Sequence, residues 1–275
     1  MIRTLFIICL VGFSFAWDAL ESNLRYSELD STHYLNNPLL EIDPQIDYFG
    51  GWPINMLKDQ IKDPGLIFDC ESDADKIKPG CPCLNHDECF SGLCFNSPKV
   101  GRYCLQGEGD IFPRYKLTDQ YGEEVDLYDF ANHEKMILIE LSTSWCAPCR
   151  KLASWLVYDD MSITENRAWK SEYGIIKELI ERDQIYFINI QIQDIYKQPS
   201  SLQSLEDWFQ EYPDYKIPIL ADSDYHVRNW ARVTAYPTMI LLNEKMEIIQ
   251  FSVRGWHDSF SLLSGMQWDF KEIVE

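Results

Sequence analysis

The chain has 275 residues, 46% of them hydrophobic and 14% aromatic, which is enough to build one ordinary domain with a smaller module and argues against wholesale disorder. Its formal net charge of −20 excludes a nucleic-acid binder, because no basic face survives such a surplus of carboxylates, and it disfavours adhesion to anionic lipid. Acidity at this level is read first as a source of solubility.

Residues 1–16 have the layout of a secretory signal peptide. Arg3 gives a positive start, Leu5–Phe15 is a short apolar run, and Ser14 and Ala16 supply small residues for cleavage after Ala16. Retention as an N-terminal anchor is the alternative, although the run is short for a membrane span. No later stretch is long and apolar enough to cross a bilayer, so no stable membrane insertion is expected after cleavage. The expected location is therefore outside the cytoplasm, periplasmic or extracellular.

Residues 17–69 carry ten acidic and three basic side chains. Asn37-Pro38, Asp43-Pro44, Gly50-Gly51 and Asp63-Pro64-Gly65 interrupt any long element, so the segment reads as an irregular acidic leader with one short helix near Ile54–Ile61. Its aromatics, Trp52 among them, imply packing against something.

Residues 70–106 hold Cys70, Cys81, Cys83, Cys89, Cys94 and Cys104, six of the nine cysteines. So few apolar residues cannot form a core, and in an oxidising compartment the cluster reads as a disulfide-stapled module. A Cys81–Cys83 bond would be badly strained, which leaves twelve of about fifteen pairings open. Zinc is the rival explanation. His86 beside Asp87 and Glu88 reads as an exposed loop residue.

Residues 107–275 read as an α/β domain. Tyr115–Thr118 and Glu124–Leu127 form an opening hairpin, and Met136–Leu141 is an apolar run suited to a sheet covered on both faces. A helix starts within Cys146–Cys149 and continues through Leu152, Trp155 and Leu156. Helical spacing follows over Trp169–Arg182, a buried strand over Ile185–Ile192, and helices over Leu202–Tyr212 and Asp224–Ala231. Thr238–Leu242 and Glu247–Val253 form a second hairpin, and Ser259–Val274 a terminal amphipathic helix. The order β–α–β–α–β–β–α describes a mixed sheet flanked by helices.

The chemistry concentrates in Trp145-Cys146-Ala147-Pro148-Cys149-Arg150. A cysteine at a helix N-terminus faces unpaired N–H groups and the positive end of the helix dipole, so the Cys146 thiolate should be stabilised, with a pKa near about 7. Cys149, one turn further and more shielded, is placed to attack a mixed disulfide. Pro148 stiffens the turn and Arg150 adds positive charge.

Together with Gly109-Asp110-Ile111-Phe112-Pro113, Leu117-Thr118-Asp119 and Val233-Thr-Ala-Tyr236-Pro237-Thr238, this motif resembles the thioredoxin superfamily, and within it the exported TlpA/ResA-like thiol–disulfide oxidoreductases. The resemblance spans roughly 165 residues and implies a thioredoxin-like fold preceded by the added cysteine-rich module. It implies catalytic roles for Cys146 as attacking thiol, Cys149 as resolving thiol and Glu140 as a buried proton relay, unless Glu140 points outward. Pro237 would be cis and, with Trp145 and Tyr236, would form the substrate-binding groove, although Tyr236 could equally be packing. No cofactor or metal is implied beyond the redox-active disulfide. The implied partners are proteins with cysteine pairs, and a membrane electron donor if the protein is a reductant, toward which Ala147-Pro148 leans by resemblance. The segment Tyr158–Trp169 is longer than a minimal family member needs and is expected to restrict substrates. The competing reading is a secreted binding protein that uses the cysteine-rich module, with the thioredoxin-like domain as scaffold.

Overall fold

The computed structural model describes residues 48–61, 63, 70, 77, 79–89, 91–97, 101–252, 254–268 and 270. The expected signal segment and residues 17–47 of the leader lie outside the described residues. By contacts the chain divides into Met1–Gly51 and Trp52–Glu275. Of the first unit, the described residues 48–51 make one turn, closed by the Gly51 N–H donating to the Tyr48 carbonyl at 2.8 Å.

Within the second unit, β1 (Cys94–Ser97) and β2 (Gly101–Cys104) make a small antiparallel hairpin. The sequence then continues through β3 (Lys116–Asp119), β4 (Glu124–Asp126), β5 (Met136–Thr143), α1 (Ala147–Tyr158), α2 (Ile175–Glu181), β6 (Ile185–Gln193), α3 (Leu202–Glu211) and β7 (Ile219–Ala221). It ends with α4 (His226–Trp230), β8 (Thr238–Leu242), β9 (Ile248–Ser252) and α5 (His257–Ser264). Among the described residues the seven strands β3–β9 form one mixed sheet in the order β4-β3-β7-β6-β5-β8-β9. β5 runs parallel to β6 and antiparallel to β8, with Glu140 opposite Asn189 and Met239. This is the architecture expected from the sequence, a mixed sheet flanked by helices with a disulfide-rich region before it.

Burial explains why the central strands are so apolar. Leu138 and Phe187 on the sheet meet Leu152 and Trp155 of α1, Ile176 and Leu179 of α2, and Phe260 and Leu263 of α5 in one buried cluster. β5 and β6 are covered on both faces, which is why their first halves, Met136–Ile139 and Ile185–Ile188, read as near-continuous apolar runs.

Several elements differ from expectation. β7 was not foreseen: three residues after Pro218 carry too little periodicity to register, and only pairing with β3 and β6 makes them a strand. The helix expected over Trp169–Arg182 is α2 preceded by a 3₁₀ turn at Ser171–Gly174, because Trp169 and Tyr173 are spent on an aromatic stack with Trp155 and Trp256. Of the helix expected over Ser259–Val274, position 269 and the stretch from 271 on lie outside the described residues. The described helix ends at Ser264, where the Gly265 N–H closes onto the Ser261 and Leu262 carbonyls, and the Trp268 indole N–H donates to the Leu263 carbonyl. The leader's short helix is one 3₁₀ turn, Lys58–Gln60.

The six clustered cysteines pair as Cys70–Cys81, Cys83–Cys94 and Cys89–Cys104. The sulfurs of Cys83, Cys89 and Cys94, each in one of these bonds, also lie within 4.8 Å of one another. His86 is exposed, in a 3₁₀ turn, and its Nδ1 accepts the Cys94 N–H at 3.1 Å. The hairpin region also touches the α/β part: the Gln106 side chain, fully buried, donates to the Trp230 carbonyl, and the Arg232 guanidinium lies 4.6 Å over the Tyr103 ring. The segment after Gly51 lies along the sheet's β3–β4 edge. There the Trp52 indole donates to Asp119 at 2.8 Å, Asn55 bonds Asp129 and the Tyr128 carbonyl, and Lys58 pairs with buried Asp129 at 2.7 Å.

Candidate active site

β5 delivers the chain to the end of the sheet, and the turn after it is pinned from both sides. The Ser144 N–H donates to the Gln193 carbonyl at the end of β6, and the Cys146 N–H to the Thr143 carbonyl at 3.0 Å. Cys146 then caps α1 with extended backbone, its sulfur accepting the Cys149 N–H at 3.2 Å. The Arg150 N–H donates to the Cys146 carbonyl at 3.0 Å, the first helical bond of α1. Pro148 occupies the first turn, where a missing N–H costs nothing.

Cys146 and Cys149 are joined in a disulfide with Cα atoms 5.3 Å apart. Both are buried, Cys149 completely, in a cluster with Leu205 and Trp208 of α3 and Ile219 of β7, against which Tyr236 packs. Trp145, 37% exposed, stands beside the pair. Its ring meets Tyr236 edge-on at 5.7 Å and its indole N–H donates to Gln193 Oε1 at 3.1 Å.

The Tyr236–Pro237 peptide bond is cis. Because Leu141 pairs with Thr238, Pro237 lies at the same end of the sheet as the Cys146 turn. Its carbonyl accepts the Gly255 N–H at 2.7 Å, and the Ala235 carbonyl accepts the Thr238 hydroxyl at 2.8 Å. Tyr236 is half-buried. Its hydroxyl pKa is raised by burial, against the opposing pull of Arg228.

Glu140 points inward, not to solvent: it is 2% exposed on β5. Oε2 accepts the Asn189 amide at 2.7 Å, while Oε1 has no hydrogen-bond partner. Desolvation pushes its pKa up to about 8, the Asn189 bond pulling the other way. Asn189 belongs to a buried polar row. The Gln191 amide donates to Ser142 Oγ and Asn189 Oδ1, both at 2.8 Å, and the Asn189 amide also donates to Ser142 Oγ at 3.0 Å. Asn189 also lines a small cavity under α1, with Ala153 and Val157 above it and Trp208, Tyr212 and Asp214 on the far side. The unpaired carboxyl oxygen therefore sits on the face of the sheet over which the cysteine-bearing helix runs.

Sequence reasoning treated β6 as a plain buried strand and missed this row. The signal was present in Ile185-Tyr-Phe-Ile-Asn189-Ile-Gln191-Ile-Gln193, where polar residues recur at every second position toward the active-site end. Two further expectations change. Arg150, expected to add positive charge near the cysteines, pairs with Glu211 at 2.5 Å and lies over Tyr212, so that charge is partly offset. The segment after Tyr158 begins at the far end of the twelve-residue α1, about 18 Å from Cys146 by helical rise, and folds back along its flank so that Lys151 reaches the Ser162 carbonyl at 3.1 Å.

No protein-family model and no curated protein matches the chain. Among solved structures, a thiol:disulfide interchange protein from Bacteroides sp. is similar at 19% identity and TM-score 0.42, over 61% of this chain and 94% of the other. The thioredoxin domain of a thiol-disulfide oxidoreductase from Bacteroides vulgatus is similar at 17% identity and TM-score 0.40, over 58% and 99%. A thiol-disulfide oxidoreductase from Bacteroides fragilis is similar at 14% identity and TM-score 0.41, over 57% and 100%. At these values the likenesses carry no argument about this chain's activity.

Proposed function

We propose that the protein is an exported protein thiol–disulfide oxidoreductase, working as a reductant, with Cys146 and Cys149 as its redox couple and no other cofactor. The observation that carries this reading is the Cys146–Cys149 pair at the N-terminus of α1, at the same end of the sheet as cis-Pro237 and beside exposed Trp145. The signal-like first sixteen residues and the three disulfides at Cys70–Cys104 support export.

In the reduced protein, the Cys146 thiolate attacks one sulfur of a substrate disulfide. A Cys146–substrate bond forms, the substrate S–S bond breaks, and the departing thiolate takes a proton. Cys149 then loses its proton and attacks Cys146 Sγ, which releases the second substrate thiol and leaves the Cys146–Cys149 disulfide. Two electrons pass to the substrate, and a membrane electron donor must return them. Glu140, whose pKa lies near the working range, is the acceptor for the Cys149 proton, held by Asn189. Trp145, Tyr236 and Pro237 form the surface on which the substrate segment lies.

Insulin reduction with dithiothreitol as donor tests the reading. Wild type should accelerate the reaction and Cys146→Ser should abolish the acceleration, while pre-reduced Cys149→Ser, freed of dithiothreitol and mixed with insulin, should accumulate a mixed disulfide visible on a non-reducing gel. Equal inertness of wild type and Cys146→Ser would overturn it. The second reading, a secreted binding protein, has one observation in its favour: Leu84, Leu93 and Phe95 are exposed on the cysteine-rich segment. That same inertness, with a functional module, is its outcome.

A further inference from the structure

Two cations lie against the aromatic side chains around Trp145 and Tyr236. Lys197 Nζ lies 5.2 Å over the Trp145 ring, and the Arg228 guanidinium lies 4.9 Å over the Tyr225 ring and faces Tyr236. Among the described residues neither cation has a carboxylate within the 4.0 Å of an ion pair, whereas Arg150 and Lys177 each do. The nearby carboxylates are engaged with backbone. Asp194 accepts the Tyr196 and Gln198 N–H groups at 2.9 and 2.7 Å, and Asp222 accepts those of Val227 and Arg228 at 3.1 and 2.9 Å.

Gln193 links the backbone and rings around the two cations. The Gln193 amide donates to the Lys197 carbonyl at 3.0 Å and to the Tyr225 hydroxyl at 3.3 Å, while its oxygen accepts the Trp145 indole. Lys197 itself sits in left-handed backbone, φ 64°, in a tight turn closed by Lys197 N–H to Asp194 carbonyl at 3.1 Å. The same turn exposes Ile195 and, at 80%, Tyr196. Aromatic rings thus position two cations that make no direct ion pair among the described residues, one over Trp145 and one facing Tyr236, with apolar surface beside the first.

Resting on the oxidoreductase reading above, we propose that Lys197 and Arg228 make this site selective for cysteine-bearing polypeptide segments with acidic flanks, seated across Trp145 and Tyr236 between the two cations. The long-range field of a chain with net charge −20 predicts the reverse, a preference for basic segments. The two effects therefore differ in sign. Near contact the local pair dominates because screening suppresses the distant carboxylates beyond about 8–10 Å.

Three disulfide-bonded peptides identical except for Glu, Gln or Lys flanks decide the matter, with kcat/KM measured on the full-length reduced protein. The Glu peptide should exceed the Lys peptide by about tenfold at physiological salt. Lys197→Gln with Arg228→Gln should bring the Glu-to-Gln peptide ratio close to one, and Lys197→Glu with Arg228→Glu should invert the preference. Ratios between peptides cancel any effect of the substitutions on Cys146 itself, and Lys197→Arg should restore the preference. Equal wild-type rates for the three peptides, a preference for Lys flanks, or a Glu preference that survives both neutral substitutions would overturn the inference while leaving the oxidoreductase reading intact. Failure to reduce any peptide would instead overturn that reading and this inference with it.

Discussion

Glu140 shows what a single buried carboxyl does to the chain's response to pH. In the unfolded chain it gives up its proton near its ordinary value of 4.5, whereas in the folded protein it holds it until about 8. Between those values the unfolded chain binds fewer protons, so stability falls as pH rises and levels off above about 8. Asp110, raised to about 6 by burial, adds the same trend only in the lower part of that window. From pH 6 to pH 8 the oxidised wild type should therefore lose roughly 2–3 kcal/mol in urea unfolding, at about 1.4 kcal/mol per pH unit, and Glu140→Gln should lose far less. Asn189→Leu deletes the bond that favours the ionised carboxylate, so its decline should run on beyond pH 8. A wild-type stability that is flat from pH 6 to 8 would contradict the burial assigned to Glu140. The position of this acid, six residues before Cys146, was legible in the sequence. Its partner was not, because side-chain pairing between β5 and β6 depends on a register that only the folded sheet supplies.

At the scale of elements, the long buried strands and the helix after Cys146 were legible because their apolar runs and spacing are dictated by burial. The shortest strand was not: β7 has three residues, and pairing with β3 and β6 decides it. α4, five residues long, falls within the helix expected over Asp224–Ala231, but what holds it in place was not legible. α4 shows how such a piece is held. It starts from Tyr225 in left-handed backbone without a side-chain cap, and Asp222, 1% exposed, reaches forward to two of its N–H groups. Asp222→Ala leaves those donors unsatisfied and should cost about 2 kcal/mol in thermal or chemical unfolding, while Asp222→Asn should keep part of that stability. Because Tyr225 and Arg228 ride on this element, loss of the cap should also weaken the preference for acidic flanks. An Asp222→Ala protein as stable as wild type would show that the cap carries no stability.

At the scale of the molecule, the six-cysteine segment was legible as a stapled region, but its attachment was not. The sequence gives no sign that Gln106 would reach Trp230, or that residues from Trp52 onward would lie along the β3–β4 edge. Trp52 is the anchor of that strap, 6% exposed, with its indole on Asp119 and its ring 6.3 Å from Tyr121. Trp52→Ala should destabilise the protein by about 3–5 kcal/mol, whereas truncating exposed Phe49 should have little effect. A small cost at Trp52 would mean that the strap is dispensable to the fold.

The four disulfides link residues only 11, 11, 15 and 3 positions apart, whereas the sheet joins β3 to β7 and β5 to β8 across about a hundred residues. As the chain emerges from synthesis, every covalent link can close within a short loop at small entropic cost, well before the strands that complete the sheet exist. High contact order then governs the pace of the remaining assembly. Errors in cysteine pairing would arise early and locally, whereas errors in folding would arise late, when β8 must pair with β5 and bring Pro237 to the Cys146 end of the sheet.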